Sequence, residues 1–106
     1  MESFAVLWSE PRQPVRAGKL ELESTGIRLE GSLGTRGARQ VHRVFYEDIE
    51  AVHVGRDRRE RLSGRPALVL DLAVGGPLRI GSVQGIGVLH ELAERLGRLT
   101  ATALAV

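Results

Sequence analysis

The stretch Gly18–Gly31, GKLELESTGIRLEG, alternates apolar and charged residues, reverses at a Thr-Gly and resumes the alternation. Leu20 and Leu22 share one face before the reversal, and Ile27 and Leu29 share one after it. Lys19, Glu21, Glu23, Arg28 and Glu30 take the other face. A period of two is the mark of a strand with one buried side. Keeping the four apolar residues together needs a connection of two or four residues, because a one-residue slip turns a strand over. A two-residue loop would force β-branched Thr25 to a positive φ. We therefore expect a four-residue turn, Glu23–Gly26, with Gly26 in the left-handed conformation.

The same alternation runs outward from this hairpin. FAVLWSE places Phe4, Val6 and Trp8 on one face, and Pro11 and Pro14 bracket the loop that follows. LGTRGA, residues 33–38, is a glycine-punctuated loop. RQVHRVFYEDIEAVHVGR, residues 39–56, reads as two strands meeting at the acidic corner Glu47-Asp48. ALVLDLAV, residues 67–74, sets Leu68, Leu70, Leu72 and Val74 on one face, and LRIGSV continues with Leu78 and Ile80. Matching those two faces needs an odd loop, so Gly75-Gly76-Pro77 is expected as a three-residue connection. From Val88 the spacing changes to three and four: Val88, Leu89, Leu92, Ala93, Leu96 and Leu99. Glu91–Arg95 and Glu94–Arg98 support that amphipathic helix from its opposite face.

The expected fold is mainly β (α+β): seven antiparallel strands near 4–10, 18–23, 27–32, 39–46, 50–56, 67–74 and 78–83, then one C-terminal helix near 86–99. All 106 residues form one domain, long enough for a single core. The chain has no cysteine, which excludes thiol nucleophiles, disulfides and thiolate metal sites. The net charge is +2, with fourteen Arg against one Lys, a bias that fits a GC-rich genome. Glu2 stands where a secretory signal carries positive charge, and no window approaches the roughly 18 apolar residues of a membrane span. A cytoplasmic location is the expectation.

GKLELESTGIRLEG, the corner RVFYEDIEAVHVGR and LRIGSVQGIGVLHELAERL as last strand into helix together resemble the pleckstrin-homology-like barrel, in particular its bacterial and GRAM-type branches. The resemblance covers nearly the whole chain. It implies a seven-stranded barrel or sandwich closed by the helix, and a non-catalytic module for protein binding or self-association. The eukaryotic branch carries a tryptophan in the closing helix, whereas here the only tryptophan is Trp8 in the first strand. Lipid-binding members grip phosphates with alternating basic residues at the first hairpin. This chain offers Lys19 and Arg28 there, but Glu30 stands where the last basic residue would fall. An alternative alignment offers Arg12, Arg16 and Lys19.

The densest charge is GRDRRERLSGR, where Arg56, Arg58, Arg59, Arg61 and Arg65 stand against Asp57 and Glu60. Arginine forks suit phosphate and carboxylate groups, so this loop is the candidate anion, partner or phospholipid surface. The run has no aromatic residue to stack a base, and nucleic acid is not expected. GSVQGIG before the helix lacks the Lys-Ser/Thr of a phosphate loop and reads as a connection. His42, His53 and His90 have no metal-ligand spacing, though His42 and His53 would face each other if their strands are neighbours. No serine sits in a nucleophile elbow. We expect no catalytic residue, metal or cofactor. The apolar runs VFYEDI and ALVLDLAV are the candidate edges for strand addition to a protein partner or a second copy.

Overall fold

The computed structural model describes residues 2–34 and 37–104, with side chains through residue 101. It is mainly β: β1 (Glu2–Ser9), β2 (Arg16–Leu22), β3 (Gly26–Ser32), β4 (Gln40–Phe45), β5 (Ile49–Gly55), β6 (Ala67–Leu72) and β7 (Leu78–Ser82), then α1 (Ile86–Leu104). The strands form one antiparallel sheet in the order β4-β3-β2-β1-β7-β6-β5, curled into a half-barrel. Every neighbouring pair but one, β1 with β7, is consecutive in the chain, which is what short hairpin connections favour.

The β2–β3 hairpin has the register its leucines demand. Leu20 faces Leu29, Leu22 faces Ile27, and Leu20, Ile27 and Leu29 are fully buried. Four residues separate Leu22 from Ile27, and the Glu23 N–H donates to the Gly26 carbonyl at 2.9 Å. Gly26 does not, however, take a positive φ. It belongs to β3, where a Cβ would overlap the Val44 carbonyl oxygen of β4. The glycine is required by the close approach of a third strand, which a hairpin read alone does not contain. Tyr46 ties the tip down: its N–H donates to Thr25 O at 3.1 Å and its hydroxyl to Glu23 O at 2.6 Å. Burial, with the Glu23 charge nearby, pushes the Tyr46 phenol above its usual pKa.

Three expected details are corrected. The acidic corner is a 3-10 turn, Tyr46–Asp48, so the fourth strand ends at Phe45. The sixth strand ends at Leu72 and Val74 is 88% exposed, because the parity-matched odd loop is longer than Gly75-Gly76-Pro77 alone. Leu70 pairs with Leu78, and Gly75 takes the positive φ that turns the chain. Third, His42 and His53 do not face each other. They lie on β4 and β5, the opposite edges of the sheet. His42 stacks on Trp8 at 6.2 Å, while His53 bonds Glu60 at 2.7 Å.

The two glycines that bound the opening stretch are cross-strand partners, Gly18 opposite Gly31. Both sit on the inward side with Leu20 and Leu29. A Cβ on Gly31 would come within 2.6 Å of the Trp8 indole nitrogen, and one on Gly18 would overlap the Glu30 carbonyl oxygen. That carbonyl accepts a hydrogen bond from Trp8 Nε1 at 2.9 Å. The bare pair lets β2 and β3 bend closely while the indole lies over them. Trp8 is wholly buried and centres the core with Leu20, Leu29, Leu68, Leu70 and Ile80.

The helix contributes Leu89, Leu92 and Leu96 to that core, on the three-and-four spacing of its sequence. It packs on β5, β6, β7 and the Tyr46–Asp48 turn. Arg95 pairs with Glu91 one turn earlier, at 3.3 Å, and with Glu2 at the start of β1. The helix continues past 99 to Leu104, and the Thr100 hydroxyl donates to Leu96 O at 2.8 Å.

Candidate functional site

A half-barrel has two sheet edges, and here they differ in kind. β5 has the helix packed against it and a register shift between Ile49 and Ala51. Such irregularities blunt an edge against further pairing. β4 pairs with β3 in unbroken register from Gly31–Gln40 to Gly26–Phe45. The regular, unblunted edge is therefore β4.

The hydrogen-bond phase of β4 follows from its end. The Tyr46 N–H bonds Thr25 O, and bonded pairs in an antiparallel ladder recur at every second residue. Val44, His42 and Gln40 thus turn their amides and carbonyls to β3. Val41, Arg43 and Phe45 turn theirs out of the edge. The neighbouring hairpin gives the same alternation, since the Glu23–Gly26 bond assigns the even residues of β3 to β2. The side chains of Val41 and Phe45 lie on the outer face, 50% and 53% exposed. Arg43 stands between them and, among the described residues, has no ion-pair partner.

Beneath this edge, on the inner side, lies a cleft of about 310 Å³ between β4 and the β6–β7 hairpin. His42, Val44, Leu72 and Leu78 supply its sides, with Glu10 and Asp48 at its margins.

The charge on the outer face of the opening hairpin is paired, mostly within the hairpin and once with Arg39. Arg28 bonds Glu30 at 2.5 Å and Glu21 at 3.4 Å; Lys19 pairs with Glu21 at 3.0 Å; Arg39 reaches Glu30 at 3.6 Å. The Arg28 hydrogen bond, with the charges of Arg28, Lys19 and Arg39, holds the Glu30 carboxyl below its ordinary 4.5. A depressed carboxylate stabilises the fold above its unfolded-state pKa, and that contribution disappears as pH falls through the folded-state value. Glu30→Gln should therefore flatten the loss of melting temperature below pH 4.5. Parallel acid profiles for both proteins would show the network to be energetically silent.

The alternative set Arg12, Arg16 and Lys19 does not converge. Arg12 is exposed in the β1–β2 loop, at φ 62°. Arg16 is only 6% exposed, its guanidinium 5.6 Å from the Trp8 ring. Parity places it on the inward face with Gly18 and Leu20, so it is a core residue and Lys19 faces the opposite way. Its Nε has no hydrogen-bond partner among the described residues.

The Arg56–Arg65 segment is a folded connection. The N–H groups of Glu60 and Arg61 both bond Asp57 O, and Leu62, 3% exposed, anchors the loop. Leu62 and Arg65 exchange both backbone bonds around Ser63-Gly64, whose φ values of 52° and 78° belong to a primed hairpin turn. The five arginines have different surroundings. Arg56 meets His90 of the helix at 3.2 Å, Arg61 Nε bonds Arg56 O at 2.9 Å, and Arg65 rims an apolar groove near Ile86. Arg58 and Arg59 project into solvent. His53 hydrogen-bonds Glu60 and holds that carboxyl below its ordinary value.

Of the two runs expected to offer an edge, ALVLDLAV is interior, because β6 is paired on both sides. VFYEDI contributes only Val44 and Phe45 to a strand edge before the 3-10 turn begins. Nothing in the local sequence marks Val41 and Arg43 as edge residues. RQVHRVFY alternates plausibly in either phase, and edge position depends on strand order, which no local spacing encodes. Among the described residues, no three His, Asp or Glu side chains cluster as a metal site, and no helix is long and apolar enough to cross a membrane. No known family model matches the chain, and no curated protein matches it in sequence.

Proposed function

We propose that this chain is a non-catalytic binding module of the pleckstrin-homology-like kind, and that it takes protein partners by adding a strand to β4. The seven-stranded half-barrel with its helix supports the family reading. The observation that carries the binding reading is the β4 edge itself: outward backbone groups at Val41, Arg43 and Phe45, with two large apolar side chains exposed beside them. Main-chain hydrogen bonds supply affinity in this mode and alternate side chains supply specificity. The Arg56–Arg65 loop supports anion or membrane-surface binding less well, because the guanidiniums of Arg56 and Arg61 already have protein partners.

Proline separates the edge from the fold. At Val41 it removes an N–H that the β3 ladder does not use, so the edge strand tolerates it. Val41→Pro should keep the wild-type circular dichroism and weaken partner capture on the order of tenfold, the worth of one or two lost hydrogen bonds and a steric block. The measurement compares proteins retained from native lysate by immobilised wild type and by the variant. Equal retention by both, or none by either, contradicts the reading.

A further inference from the structure

We infer that the occupant of the β4 edge is an extended acidic peptide rather than a second copy of this chain, an inference that rests on the strand-addition reading above. Three positions decide it. Residues directly opposite in an antiparallel pair share a face, so an added strand sets one side chain each against Phe45, Arg43 and Val41 on the outside. It sets one each against Val44 and His42 on the inside. Outside, Arg43, which has no ion-pair partner among the described residues, stands between two exposed apolar residues and also borders the cleft. The complement is a carboxylate flanked, two residues to either side, by β-branched or aromatic residues. Inside, the two intervening side chains enter the cleft of about 310 Å³ walled by Val44, Leu72 and Leu78.

A second copy fits neither side. The two-fold register that bonds all three outward residues within the strand sets Arg43 against Arg43 of the second copy. Arg28 stands one strand behind, paired with Arg43 across the ladder. Like charges directly opposite destabilise a sheet. The cleft is at the small end of ligand-sized volumes, suited to the side chains of one strand. A second β4 would arrive with its own sheet attached.

The test uses two acetylated, amidated nonapeptides, SSILETFSS and SSILKTFSS, titrated into the full chain and followed by amide chemical shifts and calorimetry. In the antiparallel sense the central Glu or Lys falls opposite Arg43. We expect the glutamate peptide to bind about fivefold to tenfold more tightly, since one pair attracts and the other repels. Arg43→Glu, an exposed substitution, should reverse the preference, and Arg43→Gln should abolish it. Bound peptide should shift and protect the amides of Val41, Arg43 and Phe45. Equal binding of both peptides with those amides protected overturns the acidic preference and leaves the edge reading standing. Shifts centred away from β4 overturn both, and binding of neither peptide overturns the inference. A wild-type dimer in sedimentation that Val41→Pro converts to monomer makes the occupant a second copy, which overturns the inference alone.

Discussion

Trp8→Ala should remove about 4 kcal/mol of stability, the usual cost of emptying a fully buried large aromatic site. Single domains of this size hold roughly 5–15 kcal/mol in all, so the variant should be close to unfolding under ordinary conditions. The effect has several sources at one position. The indole is wholly buried, its Nε1 donates to Glu30 O, and its ring meets both the Arg16 guanidinium and the His42 imidazole. Removing it leaves a cavity over Gly18 and Gly31 that the bent backbone of β2 and β3 cannot readily fill. Urea unfolding followed by far-ultraviolet circular dichroism measures the change, because the only tryptophan is lost with the substitution. A cost below about 1 kcal/mol would mean that the indole does not hold the curl of the sheet.

The second large effect runs against strand propensity. Valine favours strands and glycine weakens them, yet Gly18→Val should destabilise by about 3 kcal/mol or more, the upper range for overpacking. A Cβ at this position overlaps the Glu30 carbonyl oxygen and lies 2.7 Å from Gly31 Cα, both backbone atoms. Neither neighbour can rotate away as a side chain would. Gly97→Ala is the matched control. It lies in mid-helix with nothing within 4 Å of an added Cβ, so it should stabilise by up to about 1 kcal/mol. Urea midpoints that move the same way for both substitutions would contradict the close approach.

These two sites also mark where the sequence was legible and where it was not. Periodicity is a local property, and it located all seven strands and the helix. Parity went further, and correctly set Leu20 opposite Leu29 and Leu22 opposite Ile27. The helix register, Leu89, Leu92 and Leu96 inward, was equally readable. What failed required a third strand or a neighbour far along the chain. Gly26 serves the approach of β4, not the turn. Arg16 looked like a surface cation until Trp8, its cross-strand partner, made it part of the core. In the loop Arg56–Arg65 the density of charge hid Leu62, which anchors it, and the Ser63-Gly64 turn. The β4 edge was hidden for the same reason: an edge is defined by the strand that is absent beside it.

The central claim is that β4 offers a regular, unpaired edge whose outward groups belong to alternate residues. Amide hydrogen exchange, read residue by residue on the free chain, tests it most directly. The account predicts rapid exchange at Val41, Arg43 and Phe45 and protection at His42 and Val44, whose amides bond β3. Uniform protection along β4 would mean that the edge is already covered, and uniformly fast exchange would mean that the strand is not formed; either result contradicts the account.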